Sequence, residues 1–139
     1  MAYWLFKEEP THYSFDDLVR DKRTVWAGIE NNLALIHLRN VTKGDRVFFY
    51  HTGDEKAVVG IMVVVKGPYP DPKQTDPRLV VVDVKPVARL DRPVTLAEIK
   101  ANGKFADFAL MKNSRLSVMP VTPAQWAEIE RMSSKPPKD

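Results

Sequence analysis

The stretch WAGIENNLALIHLRNVTKGDRVFFYH, Trp26 to His51, decides how this chain folds. A large aromatic stands beside two small residues, Ala27 and Gly28, and Asn31 or Asn32 then offers a side-chain oxygen to cap a helix. Leu33, Leu35, Ile36 and Leu38 predict a broad apolar face for that helix. Arg39 puts a cation in its last turn, where the dipole end is negative. Thr42 to Asp45 holds the turn, and Val47 to His51 reads as an apolar strand with a polar last residue. A flat ring, two positions without bulk and the free amides of a helix start are thus close in sequence. Such parts build either a slot for a planar ligand or an ordinary corner of the core.

Toward the N-terminus, Tyr3 to Phe6 predicts a strand that runs into Lys7-Glu8-Glu9-Pro10, and Pro10 ends the pairing because it has no N–H. Ser14 with Asp17 three positions on reads as a capping box for a short helix, Phe15 to Arg20. Asp21-Lys22-Arg23 reads as a polar connector. On the other side, Ala57 to Lys66 predicts a valine-rich strand that forms a hairpin with Val47 to His51. Its near-continuous apolarity predicts burial on both faces, and Gly60 marks a bulge or a close backbone approach. GPYPDPKQTDP, Gly67 to Pro77, holds four prolines and reads as a stiff surface loop exposing Tyr69.

Leu79 to Val87 predicts a third long strand, with Asp83 inside it. Thr95 and Glu98 form a second capping box for a helix from Leu96 to Ala101, which Asn102-Gly103 stops. Phe105 to Leu110 fits helix or loop. Arg115 to Val121 reads as the last strand. Thr122, Pro123 and Gln125 start a final helix buried through Trp126, Ile129 and Met132. Ser133 to Asp139 reads as a frayed, flexible tail. Five to six strands and four short helices predict a mixed α/β (α+β) barrel flanked by helices, one domain over residues 1–132.

Composition narrows the function. The 139 residues include no cysteine and three histidines without a His-x₃-His pair, so neither a disulfide framework nor a zinc site is expected. The longest apolar run, Ala57 to Val65, is too short to span a bilayer, and MAYWLFKEEP lacks the basic start of a secretory signal. A cytoplasmic monomer without metal or cofactor is the expectation. A net charge of +3 and a pI near 9.2 are compatible with a nucleic-acid partner without demanding one. Ser14 or Ser117 could be placed with His51 and Asp83 in a triad, but no G-x-S-x-G elbow and no glycine-rich phosphate loop is present.

Six blocks then carry a resemblance: YWLFKEEPTHYSFDDL, WAGIENNLA, GDRVFFYH, VVGI with YPDP, VDVKPV and RLSVMPVTPAQW, all collinear. The chain resembles EVE-domain proteins, a PUA-like branch similar to the thymocyte nuclear protein family and distantly to YTH domains. The resemblance implies a compact pseudo-barrel that reads a modified base, a cytosine or adenine in DNA or RNA, against a stacking aromatic, without catalysis. Lys7, Glu9 and Pro10 match the family's Lys-x-Glu-Pro, and Tyr13 and Ser14 its Tyr-Ser. Trp26, Gly28 and Asn31 match Trp-x-Gly-x-x-Asn, whose tryptophan is similar to the base-stacking residue. Tyr50 and His51 match Phe-Tyr-His, and Arg115 and Ser117 match Arg-Leu-Ser. Glu30 stands where relatives commonly carry arginine, and Leu79 where they commonly carry tryptophan.

Plainer roles stand beside these. Ser14 and Asn31 can be helix caps, His51 a hydrogen-bonded structural histidine, and Arg115 a partner of Asp83. Two other functions remain open on the sequence: an ASCH-type amidohydrolase using Lys7 and Glu9, and a protein-interaction module using Tyr69.

Overall fold

Local caps explain where the helices start. In the computed structural model, which describes residues 1–134, Ser14 accepts from the Asp17 N–H while Asp17 answers to the Ser14 N–H, opening α1 (Phe15–Asp21). Asn31 accepts from the Ala34 N–H at 3.0 Å and opens α2 (Asn32–Asn40). Between them lies a strand that sequence reading missed, β2 (Thr24–Trp26), where a connector was expected to run into a turn.

The strands are β1 (Tyr3–Glu8), β2, β3 (Arg46–His51), β4 (Ala57–Pro70), β5 (Val80–Thr95) and β6 (Val118–Val121). They form a six-stranded sheet in the order β2-β5-β4-β3-β1-β6. β1 and β3 run parallel, and every other neighbouring pair is antiparallel. Three further helices follow, α3 (Leu96–Asn102), α4 (Ala109–Lys112) and α5 (Pro123–Ser134). The mixed α+β class expected from the sequence is what forms.

Several expectations need correction. β4 does not stop at Lys66: Tyr69 pairs with Val81, so the proline-rich segment is partly strand and Tyr69 is half-buried. The valine run is not buried on both faces, since Val58, Gly60, Met62 and Val64 are buried while Val59, Ile61 and Val63 are only partly covered. In α2 the buried side chains are Ala34, Leu35 and Leu38, while Leu33 and Ile36 face solvent. Arg115 to Ser117 precede β6 rather than belong to it. Ser133 is buried in the last turn of α5 and Ser134 ends that helix; residues 135–139 of the expected tail lie outside the described residues.

Gly60 is both things it was expected to be. The register shifts between Val58 and Gly60, and a Cβ there would overlap the Phe15 ring. The core closes around Trp126, whose ring stacks on Phe48 at 3.6 Å and on Tyr3 at 4.6 Å. Trp4 is likewise core, its indole N–H donating to buried Asp45 at 2.9 Å. Burial would raise the Asp45 carboxyl, but hydrogen bonds from Ala2, Thr42 and Trp4 hold it below its usual range. No helix among the described residues is long and apolar enough to cross a membrane.

Candidate nucleic-acid interface

The end of β1 divides the expected site in two. Successive strand residues point to opposite faces, so Lys7 and Glu8 serve different clefts. Glu8 lines a cleft of about 210 Å³ with His12, Tyr13, Thr24, Val25, Trp26 and Ala27. Lys7 and its neighbour across β3, Tyr50, line another of about 260 Å³ with Thr52, Lys56, Lys100 and Ser114.

Trp26 is where core and cleft meet. It is only 4% exposed, with Phe6 at 5.4 Å and Phe49 edge-on at 5.3 Å between ring centroids. The ring therefore fills the core as well as walling the cleft, joining the two roles that stood as alternatives on the sequence. Val25 beside it is exposed and gives the rim an apolar surface. Tyr13 donates its hydroxyl to Asp21 at 2.9 Å, and burial together with Asp21 pushes that phenol up. Glu8 Oε1 accepts from the Glu9 N–H at 2.9 Å and lies 3.2 Å from His12 Nδ1, while Oε2 has no partner among the described residues.

The remaining expected residues are dispersed. Ser14 is the α1 cap and Asn31 the α2 cap. Gly28 lies in the exposed turn between β2 and α2, where its φ of +83° suits glycine. Glu9 turns to Thr11 and Thr52, not to a cleft shared with Trp26. His51 is buried: Nε2 accepts from the Phe15 N–H at 3.1 Å and Nδ1 meets Glu55 at 2.7 Å. Those two bonds place the ring proton on Nδ1 and make His51 a support for α1. Arg115 is exposed, and Ser117 supplies a carbonyl to the Lys7 N–H at 2.9 Å. Lys7 Nζ donates to the Ser114 carbonyl at 3.0 Å, and burial lowers its pKa. Burial pushes the Tyr50 phenol up to about 12.

Asp83 has neither Arg115 nor a triad for company. Arg23 and the Tyr69 hydroxyl both donate to it. Burial opposes its charge, yet those two donors keep its carboxyl below the usual range. The hydrogen bond to Asp83 raises Tyr69 to about 12. Arg23 and Tyr69 line a larger cleft of about 580 Å³ that shares Thr24, Val25 and Ala27 with the Trp26 cleft. Sequence reading missed Glu8, His12 and this network. Strand alternation along β1 would have separated Glu8 from Lys7; nothing local announces that Arg23 and Asp83 meet. Among the described residues, no group of three or more His, Asp or Glu could hold a metal ion.

An α+β domain with an aromatic-walled cleft beside its short edge strand is the class these features define. The chain belongs to the EVE-domain family, whose model matches residues 2–132. The NMR structure of Rpa0253 from Rhodopseudomonas palustris is 42% identical, with a TM-score of 0.91 over 96% of this chain and 93% of that one. Human thymocyte nuclear protein 1 is 28% identical, the match spanning 98% of this chain and 76% of that protein. Human THYN1 in complex with DNA containing 5-methylcytosine has a TM-score of 0.91 at 28% identity, over 99% of this chain and 100% of that one. An ASCH protein from Zymomonas mobilis, 12% identical with a TM-score of 0.58 over 94% of this chain and 96% of that one, shares the fold alone.

Proposed function

We propose that this chain is a DNA-binding reader that takes a modified cytosine, 5-methylcytosine first, into the cleft walled by Trp26. The observation that carries the reading is its likeness, over nearly the whole chain, to human THYN1 complexed with 5-methylcytosine DNA. The chemistry of the cleft supports it. Cytosine presents an exocyclic amino donor, for which a carboxylate is the natural acceptor, and Glu8 Oε2 has no other partner among the described residues. The 5-methyl group needs an apolar contact, which Val25 and Ala27 supply. A volume of about 210 Å³ is below the roughly 300–1,000 Å³ of drug-sized sites and suits a single ring.

Magnitudes set what to expect. Stacking contributes about 1–3 kcal/mol per base, while extruding a base from a duplex costs a few kcal/mol. Burying one methyl gains about 0.8 kcal/mol, roughly a fourfold preference. Fluorescence anisotropy with matched oligonucleotides carrying cytosine or 5-methylcytosine, as DNA and as RNA, tests the reading. The methylated DNA should bind tightest; equal affinity for both bases would defeat it. An amidohydrolase is less well supported, because Lys7 Nζ is bonded to Ser114 and Glu9 to Thr11, without contact between the two.

A further inference from the structure

We propose that the second cleft, at Lys7, Lys56 and Lys100, is a phosphate site for a small molecule, separate from the DNA-reading cleft. Three lysines line one space of about 260 Å³, and no acidic residue lines it with them. Neither Lys56 nor Lys100 has an ion-pair partner among the described residues. The bordering carboxylate, Glu9, is engaged by Thr11 and Thr52. Gathering like charges this way is unfavourable unless an anion joins them. Lys7 is the least exposed of the three: burial lowers its pKa, and its ammonium donates to the Ser114 carbonyl at the rim of the cleft.

The position argues for a ligand of its own. Lys7 and Glu8 are consecutive on β1 and point to opposite faces, so the lysine cleft faces α3 and α4 while the Trp26 cleft faces β2 and the segment before α1. Leu96 and Leu110 add apolar wall beside the cations, where the organic part of a phosphate ester can lie. Thr52 and Ser114 bring polar groups to the same rim.

The test does not depend on the DNA reading, because its readout is stability in the absence of DNA. Thermal melts are followed against inorganic phosphate, and separately against a nucleoside 5′-monophosphate, each compared with chloride at equal ionic strength. The melting temperature should rise saturably. The Lys56→Gln/Lys100→Gln double variant should melt normally in chloride and bind phosphate at least tenfold more weakly. The two arms distinguish free phosphate from a phosphate ester as the source. No saturable rise, or an equal rise in the double variant, overturns the proposal. So does a double variant that binds DNA markedly more weakly, since the lysines would then be contacting the DNA backbone.

Discussion

Trp26 shows how one side chain can belong both to the core and to a cleft wall, and so spoil a simple test. With Phe6 and Phe49 against it and only 4% of its surface exposed, it is as much core as Trp126, which is 6% exposed. Truncating either ring removes close packing that the surroundings cannot restore. Trp26→Ala and Trp126→Ala are therefore both expected to lose about 3–5 kcal/mol in chemical denaturation. Loss of binding in Trp26→Ala would not separate stacking from unfolding. Glu8 separates them, because it lines the cleft without filling the core. Glu8→Gln should leave the denaturation midpoint in place and weaken 5-methylcytosine DNA by about 1–3 kcal/mol, as one lost base contact does. An unchanged anisotropy curve would remove Glu8 from the site.

Among the elements, β4 shows both what the sequence makes legible and what it hides. Gly60 could be read as a bulge because a glycine inside a valine strand has few other uses. The Phe15 ring lies where its Cβ would be, so Gly60→Ala should cost about 1–3 kcal/mol in a thermal melt; an unchanged melting temperature would mean the ring moves freely. The three capping pairs, Ser14 with Asp17, Thr95 with Glu98 and Thr122 with Gln125, were legible because each is complete within four residues. β2 was not, because three residues carry no periodicity and their pairing is with β5, far along the chain. The continuation of β4 through Pro68 and Pro70 was hidden for a different reason. β3 pairs with β4 only as far as Val63, and the turn before β3 bonds Val64 through Gly44 and Asp45; past Val64 that side of β4 has no strand partner, so a missing N–H is tolerated there. In α5, Glu128 is held at about 2 by Arg131 and Asn102, below its ordinary 4.5. A lowered carboxyl stabilises the fold above its unfolded pKa and loses that contribution as pH falls through the folded one. Melting temperature should thus decline between about pH 4.5 and 2, and less steeply in Glu128→Gln, which starts lower; parallel declines would deny Glu128 that role.

At the scale of the molecule, the resemblance to EVE-domain proteins implied one pocket for Lys7, Tyr13, Trp26 and Tyr50 without saying which face each would take. The sheet sends Tyr13 and Trp26 to one cleft and Lys7 and Tyr50 to the other. On the proposed reading, that division bears on how DNA would be held. If the reading cleft is the Trp26 one, the lysines of the opposite cleft do not contribute to the phosphate contacts, and the chain's net charge of +3 is spread thinly. Glu30, exposed in the segment between β2 and α2, carries a negative charge three residues on from Ala27, which lines the cleft. Affinity should then come from base capture rather than counterion release, and two measurements follow. Glu30→Arg should strengthen binding to every oligonucleotide without altering their ranking, as a positioning contact does; a changed ranking would place Glu30 against a base. Varying salt weighs the two sources of affinity directly. Each neutralised phosphate contributes about −0.9 to the slope of log affinity against log salt for B-DNA, so a capture-dominated reader with a few contacts should show a slope of about −2 to −3. A slope steeper than about −5 would require more than five phosphate contacts and would overturn a capture-dominated reading.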